Sequence, residues 1–527
     1  MGSQLIALVG GTVIDGTGAP EQPATVLVEG SRIVDVLPPS SSLSTDVYAE
    51  DCTGQVVAPG FIDAHSHADN APFLSDDDTS KIEQGVTTEV TGNCGFSLAP
   101  IEPIQRDDAQ TLLSRIFPPL SLNWADMREL FEAGEAKGFI THNAPLVGHN
   151  SLRVAAMGAA GRQADYDEIK RMVRLLESAL DAGAFGLSSG LIYPPGLFAD
   201  PSELHSLVAV LCSDNVYTTH MRNESTRVFE SIAESLDVVN GRCRLHVSHV
   251  KIADRRKWNR MPELMTALDE ARDRGWKVSQ DVYPYAAGST MLTAALPPWF
   301  HDGGSNAVLA RLESDEARMR AQLDMEQDLS FENVVAGAGW KNIVVSSTAS
   351  HRYEGSSIQQ IGEHLDVSPF DALVRILREE RLQATMVLHY LNENDVRTAL
   401  AHSFTAIGSD GLPPGTGGRP HPRTFGTFPR VLGHYVRDEK MLSLPEAVRR
   451  MTSLPADIFG IRSRGRIRRG AVADLVTFDP ETIIDRATYE HPNERPTGID
   501  RVYQEGVRVV SQGVWLGRRR GRRLTPH

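Results

Sequence analysis

Cysteine is scarce in this chain. Cys52, Cys94, Cys212 and Cys243 are scattered over 527 positions without CxxC spacing, which excludes a disulfide framework and predicts reduced thiols. Long apolar runs are missing too. No stretch reaches the roughly 18 residues of a transmembrane helix, so no membrane partner is expected. The first residues, MGSQLIALVGGTVIDGTG, lack the basic start and the cleavage site of a secretory leader, and a cytoplasmic location is the default expectation. Basic charge is in deficit: 53 Lys and Arg face 68 Asp and Glu, for a net charge of −15. That balance argues against a nucleic-acid partner. The sequence also lacks a repeat of fixed period and any long low-complexity tract.

What is present suits a large globular protein. Hydrophobic residues make up 41% and charged residues 23%, enough to bury a core and too apolar for disorder. The length allows two to four domains, or one large α/β barrel with additions. Residues 1–59 read as short strands broken by Gly, Pro and Ser, as in LIALVGGTVID, ATVLVEG and SRIVDVLP. The same signature returns in 465–527, with GAVADLVTFDP and DRVYQEGVRVVSQGVWLG. Both ends are therefore expected to build one small β-sandwich domain.

Between them, over 60–464, strand-like and helix-like segments alternate, which predicts βα units and a parallel sheet. Strand ends fall near Ala64, Cys94, Gly148, Ser189, His220, His249, Tyr283 and Ser409. Eight strand ends predict an α/β fold of the (β/α)8 TIM type. Two further apolar runs, NIVVSST and TMVLHY, are surplus. Residues near 290–345 are assigned to an insertion after the seventh strand that caps the barrel mouth. The basic run IRSRGRIRRG and the tail GRRRGRRLTPH read as a solvated turn and a frayed terminus.

The sharpest local signal is VAPGFIDAHSHAD, an apolar run ending in His65-x-His67. Residues i and i+2 of a strand face one side, so both imidazoles point together. At the C-terminal end of a barrel strand, two neutral imidazoles can chelate a divalent metal. His220 closes NVYTTH, His249 closes RLHVSH, Asp410 closes FTAIGSD and Cys94 follows VTTEVTGN, each where a barrel strand should end. Taken singly, Cys94 reads as a small buried hydrophobe and Asp410 as a turn former or helix cap. Of His246 and His249 only one can face a regular barrel interior; His249 is chosen and His246 is taken as structural. His149 stays undecided.

These motifs are familiar together. GGTVIDGTG, APGFIDAHSHAD and ADLVTFDP resemble the amidohydrolase superfamily of metal-dependent barrel hydrolases. GNCGFSLAP, HMRNE, VSHVK, DVYPYAAGST, GSDG and HPRTFGTFPRVLG resemble, more narrowly, its N-acyl-D-amino-acid deacylase (D-aminoacylase) branch. The resemblance runs from about residue 5 to about 515. It implies a Zn²⁺ cofactor, held tightly by Cys94, His220 and His249, and a second, weaker position formed by His65, His67 and Asp410. It also implies that Lys251, Tyr283 and Arg423 bind the carboxylate of a small-molecule N-acyl amino acid, with Tyr193 and Ser289 as further pocket residues. Asp410 would serve as general base and then acid. No lysine occupies the position of the metal-bridging lysine found in other relatives. The expected reaction is hydrolysis of an N-acyl-D-amino acid to a carboxylate and a free D-amino acid. Another amidohydrolase reaction, such as cyclic-amide hydrolysis or amino-sugar deacetylation, and a non-catalytic scaffold stay open at this point.

Overall fold

The computed structural model describes residues 5–118, 120–412 and 418–526. Eight parallel strands build its centre: Phe61–Asp63, Val86–Thr91, a third in two pieces (His142–Pro145 and Val147–Gly148), Gly186–Gly190, Val216–His220, Arg244–Val247, Val278–Val282 and Thr405–Ile407. Their residues are almost all buried, as expected of a parallel sheet covered by helices. The third strand pairs with the second through its first piece and with the fourth through its second piece. The eighth pairs with the seventh. It also meets the first strand, where Ala64 N–H donates to Ile407 O at 3.2 Å and Asp410 N–H to His65 O at 2.8 Å. These bonds close the (β/α)8 ring.

Each observed strand stops within three residues of the end expected from the sequence. The helices carry ordinary start signals. Tyr166–Asp181, for example, opens on Asp165 with a capping box closed by Glu168, which satisfies two otherwise orphan N–H groups.

Chain between the seventh and eighth strands does not simply return to the barrel. Gly288–Met291, Ile343–Thr348 and Ala384–Leu388 form a three-stranded antiparallel sheet, which accounts for the two surplus apolar runs. Helices such as Gly304–Glu313, Ile358–Leu365 and Pro369–Glu379 pack on it around an apolar cluster of their own, with Phe300, Leu312, Ile358 and Leu373 at its heart.

The two chain ends share one sheet. Strand Leu475–Phe478 pairs antiparallel with Val56–Pro59 on one side and with Ile499–Gln504 on the other. A second sheet, made of Leu5–Val9, Thr25–Glu29, Arg32–Leu37 and Tyr48–Asp51, lies over it. Leu8, Val26 and Ile33 meet Val57, Leu475 and Tyr503 between the two.

The basic segments differ from the sequence-based expectation. Arg464 is buried, paired with Asp474 and, at 2.9 Å, with Glu505. The tail is not frayed. Arg519 pairs with Asp77, Arg523 with Glu135 at 3.2 Å, and Leu524 N–H donates to Asn143 O at 2.7 Å. Acidic partners far away in sequence turn what reads as a solvated run into a strap across the barrel.

Phe61 ties these parts together. Its ring stacks on Phe428 of helix Arg423–Arg430 (5.8 Å between centroids, 10° between planes) and leans on Phe478 of the terminal sheet at 6.2 Å. All three rings are fully buried. Phe61→Ala should therefore destabilise the protein by about 3–5 kcal/mol, read as a lower urea midpoint at unchanged slope. A loss below about 1 kcal/mol would refute this role for the ring.

Candidate active site

The C-terminal ends of the barrel strands deliver the chemistry. His65 and His67 follow the first strand, Cys94 the second, His220 ends the fifth, His249 follows the sixth and Asp410 the eighth. All six are buried. Cys94 Sγ lies 3.3 Å from His65 Nε2 and 3.3 Å from His249 Nε2. Asp410 Oδ1 lies 3.2 Å from His67 Nε2 and 3.5 Å from His65 Nε2. The His220 ring is edge-on to His249, 4.4 Å between centroids. One donor atom each from His65, Cys94, His249 and Asp410 lies within 4.8 Å of every other, and the same holds for His220, Glu224 and His249.

Backbone strain holds three of these side chains. Cys94, His249 and Asp410 have φ of 53°, 34° and 48°, in the left-handed region that costs a non-glycine residue roughly 1–2 kcal/mol. Such strain persists where surrounding structure over-determines it, and it gathers at functional sites. Two glycines make room for the Cys94 turn. A Cβ on Gly190 would collide with Cys94 O, and one on Gly148 with Gly95 O.

A second layer of carboxylates orients the first. Asp281 Oδ2 lies 3.3 Å from His65 Nδ1 and 2.8 Å from His246 Nε2, while its Oδ1 accepts the His249 N–H at 2.9 Å. His246 is thus structural, bonded also to Ser279. Asp63 accepts the Ser409 hydroxyl at 2.5 Å and the Ser409 N–H at 2.8 Å, which locks the eighth strand end beside the first. His149 is bonded to Glu203 at 2.6 Å, and Arg153 pairs with the same carboxylate; neither contact reaches Cys94, His220 or His249.

Glu224 was not singled out from the sequence, although it lies four residues past His220 in HMRNE. Its carboxylate is 3.2 Å from His220 Nε2, 3.2 Å from His249 Nδ1 and 2.8 Å from Lys251 Nζ. Asp281 was missed as well. Its signal was there: in DVYPY it stands two residues before Tyr283, the spacing at which residues share a face of an extended chain.

The cationic residues are already engaged. Lys251 Nζ sits 2.6 Å from His249 Nδ1 as well as on Glu224. Arg423 is fully buried against Asp410, NH1 to Oδ2 at 2.9 Å. Its guanidinium lies over the Tyr283 ring at 4.6 Å, and its NH2 donates to Ser289 O at 3.1 Å. Tyr283 Oη is buried without a partner. Tyr193 Oη is 2.8 Å from Thr290 Oγ1. His67, Cys94, Tyr193, His220, His249, Lys251, Tyr283, Ser289 and Asp410 share the wall of one cavity.

Charge interactions set the protonation states. Burial opposes ionisation of the Cys94 thiol, but His65 and His249 outweigh it and hold it well below the ordinary thiol range. Burial likewise works against protonated His67 and His220. The hydrogen bond to Asp410 in one case and the charge of Glu224 in the other lift both to about 9. Burial would raise Asp410, yet Arg423 and then His249 keep it ionised. Burial pushes the Tyr283 phenol up, so it stays a neutral donor.

A divalent metal fits these residues. Thiolate, imidazole and carboxylate are the donor types of zinc sites. Nδ1 of His220 and Nδ1 of His67 are buried without hydrogen-bond partners, at a place where buried polar atoms are normally satisfied. The extra protons on these imidazoles are those a cation would displace.

Comparison with known proteins agrees with this geometry. A profile described as the amidohydrolase family matches residues 49–510. The D-aminoacylase of Alcaligenes xylosoxydans xylosoxydans is 36% identical over 98% of this chain and 97% of its own. The N-acyl-D-glutamate deacylase of the same organism is 35% identical over 96% and 94%. A crystal structure of N-acyl-D-glutamate deacylase from Bordetella bronchiseptica, complexed with zinc and a phosphonate mimic of the tetrahedral intermediate, superposes with a TM-score of 0.82 at 33% identity, covering 99% of both chains. The buried donor set at the strand ends and the full-length match lead to one assignment: the chain belongs to the amidohydrolase family.

Proposed function

We propose that this protein hydrolyses N-acyl-D-amino acids to a carboxylate and a free D-amino acid, using zinc. The observation that carries the proposal is the convergence of Cys94, His220, His249, His65, His67 and Asp410 on a cavity that also presents Lys251 and Tyr283. The names of the relatives support the substrate class and its handedness. Four free cysteines suit the reducing cytoplasm.

Cys94, His220 and His249 would hold the tight ion, and His65, His67 and Asp410 a weaker second one. Bound there, zinc lowers the pKa of a water to about 7 and polarises the scissile carbonyl. The protein does the rest. Asp410 accepts a proton from the attacking water and returns it to the leaving nitrogen as the C–N bond breaks. Glu224 and Asp281 hold the imidazoles in the orientation that ligation requires.

Lys251, Tyr283 and Arg423 receive the α-carboxylate. The unpartnered Tyr283 hydroxyl is a ready donor. Arg423 can offer a fork to the substrate while still touching Asp410, so substrate binding and the general base share one cation. Tyr193 and Ser289 complete the wall, and the segment around 290–345 covers the cavity.

Chelation should abolish hydrolysis of N-acetyl-D-amino acids, and added zinc should restore it. Cys94→Ala should lose bound zinc by elemental analysis together with turnover; full zinc and full rate in that variant would overturn the ligand assignment. A D/L panel should be hydrolysed in its D members only, and equal rates on the L members would refute the proposed handedness.

The carboxylate clamp has its own test. The wild type should favour N-acetyl-D-leucine over its α-carboxamide by roughly 100-fold in kcat/KM, and Arg423→Met should shrink that ratio by about tenfold or more. A ratio that the substitution leaves unchanged would remove Arg423 from the clamp.

A further inference from the structure

Among the described residues, Arg115 is a buried cation without an anion. It follows helix Arg106–Leu113, is 7% exposed, and lines the catalytic cavity beside Phe96, Ile116, Ile192 and Met291. Its NH2 donates to Ser305 Oγ at 2.7 Å, and its Nε is buried with no partner. Among the described residues, no carboxylate lies within 4.0 Å of it. Glu379 and Glu380 share an outer crevice with it, but Glu379 is paired with Arg375 at 2.8 Å and Glu380 accepts the Ser350 N–H at 3.1 Å.

The other buried cations of the cavity region are compensated. Lys251 has Glu224 at 2.8 Å and Arg423 has Asp410 at 2.9 Å. Taking a charge out of water is costly unless a counter-charge meets it. Burial alone pulls the Arg115 guanidinium down to about 10, with no carboxylate lifting it back. The fork is pre-organised for bidentate recognition of a carboxylate, and the apolar side chains around it would strengthen that contact by excluding water.

We propose that Arg115 forms a subsite for a second carboxylate of the substrate, carried on the amino-acid side chain or on the acyl group. The proposal rests on the deacylase reading and specifies which of its substrates this chain selects.

The test compares kcat/KM for N-acetyl-D-glutamate and N-succinyl-D-leucine with that for neutral N-acetyl-D-leucine, using the zinc-loaded protein. The wild type should prefer one of the two dicarboxylates. The glutamate compound would assign the charge to the side chain, and the succinyl compound to the acyl group. Arg115→Gln should lower the preferred ratio roughly 10- to 100-fold, and Arg115→Lys should lower it less. A neutral substrate favoured over both dicarboxylates, or a ratio that Arg115→Gln leaves within twofold, would overturn the subsite. If Arg115→Gln does not fold, the wild-type ratios and the lysine variant decide. Turnover of none of the three would refute the deacylase reading itself. Calorimetric titration with the same compounds then reads the subsite alone, and equal affinity for charged and neutral ligands would overturn it.

Discussion

A cysteine sulfur enclosed by imidazoles is the contact around which this site is arranged. Cys94 Sγ touches His65 and His249 at 3.3 Å each, and the charge of those rings makes a thiolate tenable where burial alone would forbid it. The arrangement needs three non-glycine residues in left-handed backbone, at Cys94, His249 and Asp410. It also needs two glycines where the chain passes too close for any Cβ. Local propensity opposes every one of those conformations, so the barrel as a whole must hold them.

The barrel does so through a buried layer beneath these side chains. Asp281 links His65, His246 and the His249 backbone, and Asp63 fastens Ser409. A parallel barrel suits the task because every strand presents its C-terminal end at one face. Residues separated by hundreds of positions then meet without a long excursion. Arg423 extends the same logic: it reaches Asp410 from a helix whose Phe428 stacks on Phe61 of the first strand. Packing of the core and placing of the cation are therefore one structural problem.

Most charges of the cavity compensate one another. Imidazoles, thiolate and carboxylates balance each other, and Lys251 and Arg423 each face an acid. Arg115 has no carboxylate within reach among the described residues, and Glu332 on the same wall has no cation: burial and then the charge of Glu224 push its carboxyl up to about 7. A buried cation without a counter-charge is information about the ligand rather than about the fold.

The sequence by itself determined the strand ends, the His65-x-His67 pair, and the placing of His220, His249 and Asp410 at one face, because period-2 alternation and barrel direction are local rules. Residue types alone read Cys94 as a buried hydrophobe; only the likeness of GNCGFSLAP to a family motif, and then the 3.3 Å contacts, set it among the imidazoles. Tertiary structure alone decided the roles of Glu224 and Asp281, the pairing of Arg423 with Asp410, and the strap formed by the Arg-rich tail. Their partners lie far away in the chain or one helical turn away, and no periodicity reports which acid a given cation will meet. The isolation of Arg115 among the described residues is of the same kind: the absence of a counter-charge exists only in three dimensions.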